Sequence, residues 1–241
     1  MPTVHATRIR DLLLVALTMS TGAVDAISWF GLGKVFSAFM TGNVAFLGFR
    51  AAGADGPSVP RVLASVLAFA LGAALGARVV GAARDPAVAW PRRVTLALGL
   101  SLLAQAAFLA LWTVDVSPSS GAGDVLIALS ALAMGIQTAA VFSLGVRAVF
   151  TTAATATIAV LAGDVSAWST SSPERLRLAS VLAALFGGAV IGTLLFDHAR
   201  NAAPAFPLAV TGAVVLAAEL ALGSRTLRPV ARPVQDAKKA A

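Results

Sequence analysis

The chain has 241 residues, 58% of them hydrophobic and 12% charged, with a formal net charge of +7 and a mean hydropathy of +0.86. Soluble domains carry roughly 45–50% apolar and about 25% charged residues, and disordered chains are apolar-poor and charge-rich, so both classes are excluded. At roughly 20 residues per crossing plus loops, the length suits an all-α polytopic membrane protein of about six helices, with no room for a large soluble domain.

Six apolar runs follow in chain order, at residues 12–32, 62–82, 94–113, 125–146, 178–196 and 206–223. The first follows Arg8 and Arg10 as a signal peptide would. It is too long for such a segment, contains Asp25 and precedes further spans, so it is a retained helix. Turn-rich segments at 53–60, 84–93, 117–124, 169–174 and 201–204 separate the runs. Two shorter apolar stretches, 37–49 and 150–163, are either short crossings or re-entrant pieces.

The positive-inside rule chooses between these. With six spans, one side holds Arg8, Arg10, Arg78, Arg84, Arg92, Arg93, Arg175, Arg177 and five tail cations, against Arg50, Arg61 and Arg200 on the other. That split of 13 to 3 becomes 11 to 7 with eight spans. Six spans are therefore expected, with both termini cytoplasmic in a bacterial inner membrane. Residues 224–241 read as a disordered basic tail near anionic lipid. The cations sit in loops without interleaved aromatics, so nucleic acid is not an expected partner. The chain has no Cys, and its only histidines are His5 and His198. No metal site and no cofactor are expected.

The two halves of this single membrane domain resemble each other, about 12–113 against 125–223. Residues 63–68 recur at 178–183, and each copy precedes a Gly-xxx-Gly pair, Gly72/Gly76 and Gly188/Gly192. Ala16-Leu17-x-Met19 matches Ala131-Leu132-x-Met134, and Thr41 matches Thr155, all near 115 residues apart. Three crossings per unit is odd, so two fused units must lie inverted in the membrane. Inverted repeats are common in secondary transporters, with the site near the midplane at broken helices.

The polar residues at membrane depth are few. A central Asp costs roughly 2.5–3.5 kcal/mol on an insertion scale, so Asp25 needs a partner, water or ligand. Lys34 is nine residues on, half a turn out of phase on a continuous helix, and meets Asp25 only if the chain unwinds at Gly31 and Gly33. Thr41-Gly42-Asn43 offers a second break. The second half carries Arg147 where the first has Lys34, Ala140 at the place of Asp25, and Gln137, Thr151 and Thr155 nearby. Convergence of these groups makes a net positive site for an anionic solute; Asp25 paired with Arg147 leaves Lys34 for it instead. The competing readings are structural: an ion pair for Asp25, snorkelling for Lys34 and Arg147, helix capping for Thr41 and Asn43, and close packing for the glycine pairs.

Gly22-x-x-Asp25-Ala26, Phe36, Met40-Thr41-Gly42-Asn43 and Leu47-Gly48 resemble the signature of the YoaK-like family, the bacterial integral membrane proteins of domain of unknown function 1275. Met134-Gly135-x-Gln137 and the Thr-rich stretch ending at Asp164 are similar to that family too. Where such proteins often read Thr-Gly-Thr, this chain has Thr155-Ala156-Thr157, which weakens the case for an unwound point there. The resemblance implies about six spans and brings no substrate.

The expected function is a small secondary transporter or permease for a small solute, anionic if the cations converge. The alternative is a non-transporting sensor or assembly partner with structural polar residues. An enzyme is not expected, since neither a Ser/His pair nor His-Glu-x-x-His occurs as rhomboid-like or metalloprotease chemistry requires. The lipid bilayer and the solute are the expected partners, and a homo-oligomer is admissible.

Overall fold

The computed structural model describes residues 3–81, 88–114, 120–146, 154–167 and 172–222. These form eight helices: α1 Val4–Gly31, α2 Met40–Ala51, α3 Val59–Val80, α4 Arg92–Val114, α5 Ser120–Ser143, α6 Ala154–Ala167, α7 Ser172–His198 and α8 Ala205–Leu222. Six of them, all but α2 and α6, are long and apolar enough to cross a bilayer. The 12 residues of α2 and 14 of α6 span only about 18 and 21 Å at 1.5 Å per residue, short of the ~30 Å hydrocarbon core. The stretch 37–49 thus holds a short helix, and so does the described part of 150–163.

Local chemistry sets the ends of α1 and α3. The Thr3 hydroxyl accepts the Ala6 N–H at 3.2 Å and starts α1 eight residues before the apolar run. The charged first turns stay helical because Asp11 accepts from Arg10 at 2.7 Å and lies 3.6 Å from Arg177 of α7. At the other end Gly33 and Lys34 turn left-handed, with φ of 81° and 62°, which lets the Lys34 N–H reach Trp29 O at 2.9 Å. Pro60 sits in the first turn of α3, where its missing N–H costs nothing.

The helices assemble as two three-helix bundles. In one, α1 lies between α7 and α8; in the other, α5 lies between α3 and α4. The first helix of each half is therefore held by the last two helices of the other half. α1 and α5 are accordingly the most enclosed spans, 67% buried over their apolar windows against 22% for α3 and α7. The bundles touch each other along α4 and α8, with a smaller α1–α5 contact. α2 packs on α3, and α6 on α7.

The contacts come in matched sets. Gly22 of α1 lies against the backbone of Leu185 and Ala189 in α7; Gly135 of α5 lies likewise against Phe69 and Ala73 in α3. Gly188 meets Met19 O and Gly192 meets Ala23; Gly72 meets Leu132 O and Gly76 meets Ile136. Corresponding residues are 113 apart between α1 and α5 and 116 apart between α3 and α7. The ion pairs obey the same offsets: Arg61 with Asp124 at 2.8 Å, and Arg177 with Asp11 at 3.6 Å. The match of 63–68 with 178–183 is 115 apart, one residue out of this register. In that register the counterpart of Asp25 is Thr138, not Ala140.

The Gly-xxx-Gly pairs are packing faces, since a Cβ at these positions would strike the neighbouring backbone. Gly187, by contrast, faces open space. Gly188→Val is expected to cost about 2–4 kcal/mol and to lower the apparent Tm in detergent by several degrees, with Gly187→Val near neutral. Fluorescence-detected size exclusion after heating measures both.

Candidate functional site

The chain between α1 and α2 folds back beside α1. Asp25 is six residues before Gly31, so its level is about 9 Å inside the end of α1. Its Oδ1 accepts the N–H of Ser37 at 2.9 Å and of Ala38 at 2.8 Å. Asn43, fully buried in the first turns of α2, closes a ring on Phe36: Oδ1 accepts the Phe36 N–H at 3.0 Å and Nδ2 donates to Phe36 O at 2.7 Å. Nδ2 also donates to Ser65 Oγ of α3 at 3.1 Å, and Ser65 Oγ donates to Phe36 O at 2.6 Å. Trp29 stacks on Phe36 at 4.8 Å and meets Phe46 of α2 at 6.0 Å. Segment 32–51 is an arm whose irregular peptide groups at Phe36, Ser37 and Ala38 are bonded by Asp25, Asn43 and Ser65. Such backbone is tolerated at membrane depth only when satisfied in this way.

This geometry corrects several expectations. Asp25 serves backbone amides and does not meet Lys34. The helix does end at Gly31 and Gly33, but the chain turns so that Lys34 is exposed at the end of α1, with no ion pair among the described residues. Gly42 is no break: it lies inside α2, where a Cβ would meet the rings of Phe39 and Phe36. Thr41 and Thr155 are exposed. Asp25 lies in the last third of α1, which extends back to Val4. Arg147 and Thr151 lie outside the described residues.

Gln137 belongs to a different place. It is fully buried, and its Nε2 donates to Thr21 Oγ1 at 3.0 Å and Leu17 O at 3.5 Å, from α5 to α1 across the bundles. A parallel bond joins α4 to α8, where Gln105 Nε2 donates to Thr211 Oγ1 at 3.2 Å. Gln105 Nε2 also reaches Ser101 Oγ at 3.3 Å, and Ser20 contacts Thr211 Oγ1 at 3.3 Å and Pro207 O at 3.2 Å. Ser130 of α5 is buried beside them. Among the described residues, the carboxamide oxygens of Gln105 and Gln137 have no hydrogen-bond partner. Leaving such a group unpaired in a dry interior costs about 1–3 kcal/mol.

A small cavity opens within this layer, lined by Val24, Ile27, Gln105, Phe108, Ser130 and Pro207, with room for about one water. Apolar clusters close the layer on both sides. Ile27, Phe108, Trp112 and Leu126 lie toward the α2 side, and Leu14, Leu98, Ala140 and Leu178 toward the α6 side. Sequence reading passed over Ser20, Ser101, Ser130 and Thr211, because isolated hydroxyls in apolar helices usually bond their own carbonyls. The available signal was the i, i+4 pair Ser101/Gln105 and the i, i+7 pair Ser130/Gln137 on neighbouring helices.

Six apolar crossings around a buried polar layer define a multi-pass helical membrane protein. The family model described as protein of unknown function (DUF1275) matches residues 13–217, and the chain belongs to that family. It is 35% identical over 159 residues to the UPF0700 transmembrane protein YoaK of Bacillus subtilis strain 168, covering 65% of this chain and 68% of that protein. No solved structure matches the chain.

Asn43→Ala removes both bonds to Phe36 and the bond to Ser65. It is expected to destabilise by about 2–4 kcal/mol and to raise hydrogen exchange of the Phe36–Ala38 amides, while Lys34→Ala stays within about 0.5 kcal/mol. Exchange mass spectrometry on both variants tests this.

Proposed function

We propose that this protein is a small secondary transporter in which the two bundles move against each other about the midplane polar layer. The observation that carries the proposal is that Gln105 and Gln137, with unfinished hydrogen bonding, lie where the bundles meet. The matched offsets of the glycine contacts and of the Arg61–Asp124 and Arg177–Asp11 pairs support reading the halves as inverted repeats. Secondary transporters commonly place their site at such an interface. The anionic solute does not follow, because Lys34 stands away from the layer. The rival reading, a sensor or assembly partner, is favoured only by the structural employment of Asp25 and Asn43.

The chain has no native cysteine, so single-cysteine labelling is clean. In Thr211→Cys protein, a membrane-impermeant thiosulfonate is expected to react from either face of oriented vesicles, and adding the Thr21→Cys/Gln137→Cys cross-link is expected to suppress reaction from at least one. Cross-linking Arg61→Cys to Asp124→Cys, within one bundle, is expected to leave it unchanged. A thiol unreactive from both faces favours the structural rival.

Membrane orientation is part of the same proposal. Among the described residues Arg8, Arg10, Arg78, Arg92, Arg93, Arg175 and Arg177 lie on the α6 side, against Lys34, Arg50, Arg61 and Arg200 on the α2 side. We assign the α6 side to the cytoplasm of a bacterial inner membrane. Ala54→Cys is then expected to be labelled by an impermeant maleimide in right-side-out vesicles and protected in inverted ones.

A further inference from the structure

We propose that Asp25 is a proton-operated latch: as a carboxylate it holds the arm between the two bundles, and as a neutral acid it lets the arm go. The inference rests on the transporter reading above and names the proton as its coupling ion. Ala38 of the arm is 2% exposed and packs with Val24 of α1, Met134 of α5 and Phe69 of α3, so it is wedged against both bundles. Toward α3 the arm is held by neutral bonds, in which Ser65 Oγ donates to Phe36 O and accepts from Asn43 Nδ2. Toward α1 a single oxygen, Asp25 Oδ1, accepts the N–H of both Ser37 and Ala38. Hydrogen bonds to an ionised acceptor are roughly twice as strong as neutral ones. Docking also has a cost, because Ser37 is fully buried and its Oγ has no partner among the described residues. The charge on Asp25 is therefore what keeps the arm against α1.

No cation among the described residues bonds to that charge. On the α2 side Lys34 is exposed, Arg50 of α2 faces Asp55, Arg61 of α3 pairs with Asp124 of α5, and Asp197, His198 and Arg200 are exposed at the end of α7. The described charges of α4 and α8, Arg92, Arg93 and Glu219, lie toward the other side. A half-buried carboxylate in such surroundings is neutralised by a proton, which forms one O–H bond and displaces nothing. Oδ1 then accepts only with the strength of a neutral group. The new O–H needs an acceptor, whereas the arm turns two N–H donors toward it and keeps the Ser37 hydroxyl out of hydrogen-bond reach. Release leaves the arm with α3 and removes the tie from α1 through the arm to Ser65. One turn of α1 away Thr21 Oγ1 accepts from Gln137, so the latch stands beside the layer about which the bundles part.

The test uses full-length protein in lipid nanodiscs and reads the thiol reactivity of Ala38→Cys divided by that of the exposed Thr41→Cys, a ratio that cancels the pH dependence of the reagent. The ratio is expected to rise at least about tenfold from about pH 8 to about pH 5.5, as two charge-assisted bonds become neutral ones. With Asp25→Asn added, the ratio is expected to be high and flat with pH. A hydrophobic carbodiimide, which adds only to a protonated carboxyl, reads the unmutated Asp25 and keeps the test independent of that variant's folding. Its adduct on Asp25, followed by peptide mass spectrometry, is expected to grow in step with the ratio as pH falls. A ratio indifferent to pH overturns the latch, and so does a pH response that survives Asp25→Asn or an absent adduct where the ratio has risen. A response to sodium at fixed pH, without one to pH, overturns the proton as the ion. If the latch falls while Thr211→Cys is labelled from both faces, the transporter reading stands; if the arm titrates while Thr211→Cys is unreactive from both faces at either pH, the latch stands and the transporter reading falls.

Discussion

The close approach of α1 to α7 and of α5 to α3 is the constraint from which the rest of the architecture follows. In lipid, apolar side chains gain nothing by leaving one hydrocarbon for another, so helices associate through tight packing and polar contacts. Here the packing is backbone against backbone, at Gly22, Gly188 and Gly192 on one seam and Gly135, Gly72 and Gly76 on the other. Because each seam joins a helix of one half to a helix of the other, neither half is a packing unit. The units are the two bundles, and every element that does not belong to a seam must either bridge them or face lipid.

Two kinds of polar residue at depth follow from that division. Asp25, Asn43 and Ser65 are spent on the peptide groups of the arm, the kind of bonding that irregular backbone within a bilayer requires. Gln105 and Gln137 each keep a carboxamide oxygen without a partner among the described residues, and they lie between bundles. A buried polar group whose bonding is complete explains itself as structure; one left short asks for a further partner. In the arm, Ser37 Oγ is also without a partner among the described residues, so unfinished bonding marks the arm as well as the layer.

Hydropathy and length carried the six spans legibly, since a run of about 20 apolar residues in a charge-poor chain has few other meanings. The shortness of 37–49 and 150–163 was legible for the same reason. The pairing of Asp25 was not: a sequence offers charged partners such as Lys34 and Arg147 by name, whereas the N–H groups of Ser37 and Ala38 are anonymous. The likeness of the two halves was visible, but its register was blurred because Ala, Leu and Val match one another readily. The glycine contacts fix it at 113 and 116 residues, offsets that a single spacing near 115 averages away. The polar layer was hidden by dispersion, one or two hydroxyls or amides per helix brought together only by the swap of α1 and α5.

The same geometry bears on how the proposed movement could proceed. Among the described residues both long-range ion pairs lie within bundles, Arg61–Asp124 between α3 and α5 and Asp11–Arg177 between α1 and α7. Separating the bundles breaks neither, so these pairs stiffen the moving bodies and do not resist their motion. On the α2 side, Trp112 Nε1 donates to Arg200 O at 2.9 Å, Arg61 reaches Leu32 O at 3.5 Å, and the arm bonds to Asp25 of one bundle and Ser65 of the other. The α6 side is closed by the larger apolar cluster, whose contacts are individually weak and non-directional. Directional bonds fail abruptly when stretched, whereas packed apolar surfaces can slide and repack. Among the described residues, the directional bonds between the bundles therefore lie in the polar layer and on the α2 side, where the arm is tied to both bundles.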